Sequence, residues 1–268
     1  GRFHRAAAAR CNEGSLSRSL LLTVEAYWQK LTRVYDGVAL FLSPSRYLRG
    51  MFLAEGYDPD RVIHVPPFVP AENAEASRES AERGTGGAEL PEKFVLYFGR
   101  LGGEKGLFTL VDAIAGLDDV PLVLSGAGPL RRTLEARAAK AAPGRIRFTG
   151  HLGKEDLGAV IRRAAAVVLP SIAAENAPYT VLEAMAVGVP VIVSNVGGLP
   201  ELAESGRGLV FPAGNAGDLA ARIGEVWENP ALAREMGARG KTYVSSELTE
   251  DRHMAQLEAV YRKAAGPR

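Results

Sequence analysis

Two glutamates eight positions apart, Glu175 and Glu183, bracket the segment Asn176-Ala177-Pro178-Tyr179-Thr180-Val181-Leu182. The first precedes a helix start and the second sits inside the helix. Pro178 suits the first helical turn, where a missing N–H has no intrahelical partner to lose. Gly188 ends the helix and Pro190 forbids its continuation. Free N–H groups and the macrodipole at that helix start make an anion site. An anion held there has Glu175 on one side and Glu183 one or two turns up the other. Carboxylates repel phosphate, so both acids must serve hydroxyl groups. A ligand carrying hydroxyls on both sides of a phosphate is a sugar nucleotide.

A second constellation is Gly99-Arg100-Leu101-Gly102-Gly103-Glu104-Lys105-Gly106. Two cations five residues apart on a glycine-rich turn can both reach a diphosphate, each contact contributing about 1.5–3 kcal/mol. The same charges would also suit a solvated turn. A nucleotide-triphosphate loop does not fit, because Glu104 stands where glycine belongs and Gly106 where Ser or Thr belongs. Ser125-Gly126-Ala127-Gly128-Pro129-Leu130-Arg131 invites a dinucleotide reading, but Arg131 replaces the third glycine. Tight strand-to-helix turning explains those glycines equally well. Asp58-Pro59-Asp60 has the spacing of a metal-binding acid pair, yet turn chemistry accounts for it. His4, His64, His151 and His253 are scattered without ligand spacing, so no metal site is expected. Of these only His151 falls at the end of a predicted strand, where it is a candidate contact for a nucleotide base.

The elements that must hold these groups follow from hydrophobic period. Short unbroken apolar runs at 94–98, 122–125, 145–149, 167–169, 191–194 and 209–211 read as strands covered on both faces. Helical stretches alternate with them at 106–115, 129–141, 155–164, 179–187 and 199–204. That alternation predicts right-handed crossovers and a doubly wound parallel α/β sheet, whose ligands bind at the carboxyl ends of the strands. Gly99-Arg100, Ser125-Gly126, Gly150-His151 and Pro170-Ser171 all fall at those ends. Ahead of this lobe come an amphipathic helix (17–35), a strand (38–42), a helix (45–55) and a strand (61–65), too few to complete a second sheet. The chain therefore divides into a first-lobe remnant (1–65), a Pro/Ala/Glu/Ser/Gly-rich linker (66–92), the main lobe (93–248) and a C-terminal helix (249–268).

Composition limits the alternatives. With 32 Lys and Arg against 31 Asp and Glu, the net charge of +1 argues against a nucleic-acid partner. Cys11 is alone, which suits a reducing cytoplasm, and reads as a small buried hydrophobe. No apolar run spans a bilayer and no signal pattern opens the chain. The basic N-terminal segment, with Arg2, Arg5, Arg10, Arg18, Lys30 and Arg33, reads first as a solvated helix face and second as a peripheral membrane contact. Opening on glycine in mid-pattern, the chain reads as the carboxy-terminal part of a longer protein.

These residues together resemble the retaining glycosyltransferases with two facing doubly wound lobes, the GT-B fold, in the fourth of their classified sequence families. Ser43-Pro44-Ser45, Gly99-Arg100 with Lys105-Gly106, Ser125 to Pro129, the strand ending at Gly150, Leu169-Pro170-Ser171, the Glu175-to-Glu183 motif and Gly197-Gly198-Leu199-Pro200-Glu201 match in order. The resemblance covers about residues 11–264. It implies that Arg100 and Lys105 hold the donor diphosphate and that Glu175 meets hydroxyls of the transferred sugar. Backbone N–H groups of Asn176, Ala177 and nearby residues would cradle phosphate oxygens, although Pro178 removes one donor from a position often held by glycine. Glu183 would bind the ribose hydroxyls with Leu182 beside the nucleoside, and Gly150-His151-Leu152 would edge the base.

The resemblance further implies transfer of a hexose or related sugar from a UDP- or GDP-linked donor to a glycan, lipid-linked or small-molecule acceptor. It implies no cofactor beyond that donor, and a place in the cytoplasm or at the inner face of the plasma membrane. Most of the acceptor-side lobe is missing, so no catalytic base is named; a donor phosphate oxygen would assist the acceptor hydroxyl instead. A sugar-nucleotide binding module without activity is the main rival. An epimerase or phosphorylase of the same architecture is weaker, because the only late lysines, Lys241 and Lys263, fall in peripheral helices.

Overall fold

Every residue of Phe94-Val95-Leu96-Tyr97-Phe98 is buried, which only a strand covered on both faces allows. The computed structural model, which describes residues 3–12, 14–70 and 90–266, makes this run the centre of a parallel sheet. Most of the composition-based linker, residues 71–89, lies outside the described residues.

The N-terminal unit comprises α1 (His4–Ala8), α2 (Leu16–Leu31), a 3-10 turn (Val34–Gly37), β1 (Phe41–Ser43), α3 (Arg46–Ala54) and β2 (Val62–His64). The main lobe follows as β3 (Phe94–Phe98), a 3-10 turn (Gly103–Lys105), α4 (Leu107–Ala115), β4 (Leu122–Ser125), α5 (Arg131–Ala141) and β5 (Ile146–Gly150). Its second half is α6 (Lys154–Arg163), β6 (Ala164–Leu169), α7 (Tyr179–Ala186), β7 (Val191–Ser194), α8 (Leu199–Ala203) and β8 (Gly208–Phe211). Three helices close the chain: α9 (Ala216–Glu228), α10 (Pro230–Glu247) and α11 (Glu250–Ala265).

The six strands of the lobe lie in the order β5-β4-β3-β6-β7-β8, all parallel. The chain winds outward from β3 to β5, returns to the centre at β6, and winds outward again to β8. The reversal between β3 and β6 is the topological switch point, where a doubly wound sheet opens a crevice for ligand. The doubly wound α/β lobe read from the hydrophobic runs is therefore the observed one.

Differences are local. Strand β6 starts at Ala164 rather than 167, because a run of small alanines is compatible with the crowded centre of the sheet. Helix α5 starts at Arg131 rather than 129, after a turn at Pro129-Leu130. In the N-terminal unit β1 begins at 41 rather than 38, since the Arg61 guanidinium takes the Val38 and Ala39 carbonyls that a strand would have used. Helix α2 stops at Leu31, and Arg33 turns the chain with φ 52°. Its apolar face is not covered by the described residues: Leu21 is 69% exposed and Leu31 78%. Cys11 is exposed, not buried.

Parallel β1 and β2 form a separate two-stranded sheet. The C-terminal helix reaches back to this unit. Lys263 Nζ donates to the Asp60 carbonyl at 2.7 Å, and His253 Nδ1 lies 2.8 Å from the Pro66 carbonyl.

Candidate functional site

The loop after β3 carries Arg100 and Lys105, and its path is fixed by glycines that let neighbouring backbones touch. Gly126, at φ 139°, lies so close to Gly99 that any Cβ would overlap the Gly99 carbonyl. Gly128 abuts the Leu101 carbonyl in the same way. These glycines are thus explained by close approach of the β3 and β4 loops. Further along, Gly106 (φ 64°) sits against the Pro170 carbonyl, and the Glu104 carbonyl accepts from Ile172 and Ala173 N–H at 2.9 and 3.3 Å. The turn ending in Lys105 is therefore pinned to the loop after β6.

That pinning brings Lys105 to Glu175, 70 residues away in sequence: Nζ donates to Oε1 at 2.5 Å. Ser171 Oγ donates to the same oxygen at 2.8 Å. The sequence reading gave Ser171 no role; its place at the end of a switch-point strand was the available signal. Arg100 lies nearer the rim, 67% exposed, with its guanidinium 3.4 Å from Glu104. Its backbone is held from below, where the buried Tyr97 hydroxyl donates to the Arg100 carbonyl at 2.7 Å. Burial, then the charges of Glu104 and Glu175, push the Tyr97 phenol well above its usual range. That phenol remains a donor at all ordinary pH, and both acids lie close enough for their charges to act on it.

Helix α7 starts beside this cluster. Pro178 is its N-cap (φ −68°, ψ 133°), just outside the first helical turn, and the helix starts at Tyr179, as the predicted 179–187 stretch has it. No side chain among the described residues caps this end. The Val181 and Leu182 N–H groups both point to the Pro178 carbonyl, at 3.0 and 3.3 Å. Among the described residues the Tyr179 and Thr180 N–H groups, the positions from which an α-helix binds anions, meet no acceptor. Thr180 Oγ1 donates to the Phe98 carbonyl at 3.4 Å, setting the helix start against the end of β3.

Asn176 is exposed and Ala177 half-buried at the approach to this helix. Gly197 and Gly198 press on the backbone here, with the Gly198 N–H donating to the Glu175 carbonyl at 2.6 Å. Glu183 stands one turn into α7, half-buried, and burial raises its pKa while Lys154 on α6 opposes the rise. Gly150 (φ 76°) ends β5 with its carbonyl accepting from Gly126 N–H at 2.7 Å; His151 is exposed and Leu152 half-buried. Leu182, expected beside a nucleoside, is buried. Its side chain is 0% exposed, in the core and against the junction with the N-terminal unit, so it supports α7 and offers a nucleoside no surface.

Cationic side chains, an open helix start and two carboxylates stand at the switch point of a doubly wound α/β lobe of the GT-B type. The chain belongs to the family Glycosyl transferases group 1, whose profile matches residues 79–243. It is 35% identical to the D-rhamnosyltransferase WbpZ of Pseudomonas aeruginosa over 56% of this chain and 40% of that protein. It is 27% identical to the alpha-D-kanosaminyltransferase of Streptomyces kanamyceticus over 89% of this chain and 64% of that protein. The chain thus spans between 40% and 64% of the length of these two relatives.

Among solved structures, sucrose-phosphate synthase of Thermosynechococcus elongatus superposes with a TM-score of 0.68 at 29% identity, over 83% of this chain and 57% of that one. Anabaena HepE in complex with UDP superposes with a TM-score of 0.75 at 20% identity, over 93% and 68%, a likeness of fold.

Proposed function

We propose that this chain is the donor-binding half of a retaining, metal-independent glycosyltransferase that moves a hexose or related sugar from a UDP- or GDP-sugar to an acceptor hydroxyl. One observation carries the reading. In a chain of this family, the open start of α7 and the Lys105–Glu175–Ser171 cluster meet at the switch point between β3 and β6. Nucleotide-named relatives support it: the Anabaena structure holds UDP, and a Mycobacterium tuberculosis relative is described as GDP-mannose-dependent.

Cleavage of the sugar–diphosphate bond leaves positive charge on the ring and adds negative charge to the phosphate. Arg100, Lys105 and the first amides of α7 supply the compensating positive charge, the role a divalent cation serves elsewhere. Glu175, already hydrogen-bonded on one oxygen, offers its other oxygen to sugar hydroxyls. Glu183 offers its carboxylate to the ribose, and His151 the base edge. A glycan, a lipid-linked sugar or a small molecule would accept the sugar, in the cytoplasm or, for a lipid-linked acceptor, at the inner face of the plasma membrane.

Calorimetric titration with UDP, GDP and ADP, then with the sugar conjugates of whichever binds, tests the donor site. Saturable binding of one diphosphate, tightened by its sugar, is the expected result; no binding of any would overturn the reading. Donor hydrolysis or transfer by this chain separates an enzyme from a binding module, the alternative favoured by its partial span of its relatives.

A further inference from the structure

Glu201 takes no part in the Lys105–Glu175–Ser171 cluster, yet it joins the N-terminal unit to the loop that carries Asn176 and Ala177. Its carboxylate accepts from the Arg46 and Tyr47 N–H groups at 2.9 and 2.5 Å, the first amides of α3, and lies 3.4 Å from the Arg46 guanidinium. A negative charge there satisfies two open donors and the helix dipole together. Glu201 rides on α8, whose N-cap, Gly198, donates to the Glu175 carbonyl and lies against the Asn176 carbonyl. A second tie leaves the same end of α3: its N-cap Ser45 donates Oγ to Asn176 Oδ1 at 3.2 Å. The loop 175–177 is therefore held from two sides by the first turn of one helix in the other unit. Around these ties the junction is not close-packed. A cavity of about 280 Å³ is lined by Ser45, Arg46, Asn176, Ala177 and Glu201 among others, so side-chain bonds set the spacing there.

We infer that Glu201 is a positioning residue: by fixing α8 to the start of α3, it sets where the Asn176–Thr180 amides stand, and so tunes grip on the diphosphate without contacting it. The inference rests on the donor site proposed above. The nucleoside end of that site, Glu183 and residues 150–152, is carried by the body of α7 and by β5 and owes nothing to this tie.

The test measures UMP against UDP, and GMP against GDP, by calorimetry on the whole chain and on Glu201→Ala and Glu201→Gln, together with hydrogen exchange of residues 171–200 without ligand. In Glu201→Ala the diphosphate should lose about fivefold in affinity, the scale of a lost helix cap, with the monophosphate within about twofold. Exchange of the Gly198 amide, which donates to the Glu175 carbonyl, should accelerate, and Glu201→Gln, which keeps an oxygen for one amide, should fall between. Parallel loss of both nucleotides, or no change with unaltered exchange, overturns the inference. Should the wild type bind no nucleotide, the donor-site reading fails, and exchange alone decides the positioning: unaltered protection of the Gly198 amide overturns it and lost protection upholds it. If Glu201→Ala does not fold, Ser45→Ala severs the other tie, and the same split between mono- and diphosphate decides.

Discussion

The Lys105 ammonium donates to Glu175 at 2.5 Å while Ser171 donates to the same carboxylate oxygen at 2.8 Å. This arrangement answers how an acid can stand beside a phosphate site. Both partners are only about a fifth exposed, at 22% and 19%, so their attraction is less screened than a surface pair's. With Lys105 attached, Glu175 presents little net charge to an incoming diphosphate and keeps one oxygen for hydroxyls.

Lys105→Ala should therefore harm twice, removing a cation from the diphosphate and leaving an uncompensated carboxylate next to it. Calorimetry should show diphosphate affinity down roughly 10- to 100-fold. Glu175→Gln should behave oppositely on the bare nucleotide, leaving its affinity equal or higher, while abolishing the extra affinity given by the sugar. Equal losses for nucleotide and sugar nucleotide in Glu175→Gln would remove Glu175 from the sugar.

Arg100 offers a cleaner separation of binding from folding. Its guanidinium is 67% exposed and its partner Glu104 is a near neighbour on a surface turn. Such pairs contribute little to stability, so Arg100→Ala should melt within about 0.5 kcal/mol of the wild type. Its diphosphate affinity should nonetheless fall about tenfold or more. A stability loss matching the affinity loss would place Arg100 in the scaffold instead.

The sheet was legible in the sequence because its central strands are apolar along nearly their whole length, whereas β5, with Arg147 and Thr149, is a partly exposed edge strand and not one covered on both faces. The Glu175–Glu183 pair was legible because Gly188 and Pro190 fix the helix between them. Three features were not. The pairing of Lys105 with Glu175 depends on Gly106 meeting Pro170, a contact between distant loops that carries no local pattern. Glu201 lay in a recognised segment, but its work at α3 appears only when two units pack together. The burial of Leu182 was the third, because a helix start has two faces, and motif spacing does not say which one meets the core.

Gly106 tests the pinning itself. At φ 64° a side chain is already strained, and a Cβ would collide with the Pro170 backbone. Gly106→Ala should cost at least about 1–3 kcal/mol and lower Tm by several degrees. Because the same turn delivers Lys105, nucleotide affinity should fall as well. Gly153→Ala, at a glycine with open space around it and no positive φ, is the control and should melt near the wild type. A Gly106→Ala protein with wild-type Tm and affinity would show that the two loops are not held by this contact.

Glu183 sets function against stability, and the sign can be worked through. Burial raises its pKa from the ordinary 4.5, so the folded chain binds that proton more tightly than the unfolded chain does. Its contribution to stability is fully present below the ordinary value and is lost as pH rises through the raised one. At neutral pH the buried charge is thus a cost, partly offset by Lys154. Glu183→Gln removes that charge, so it should melt higher than the wild type at pH 7, by roughly 2 °C or more, with the gap closing towards pH 4. The same variant should weaken ribonucleotides more than their 2′-deoxy analogues, because the amide is a poorer acceptor for ribose hydroxyls than the carboxylate. Wild-type binding should weaken correspondingly as acid protonates Glu183. Thermal melts from pH 4 to 8, paired with ribo- and deoxyribonucleotide titrations, check both halves. A lower melting temperature at pH 7, or equal loss of the two nucleotide types, would contradict the assignment.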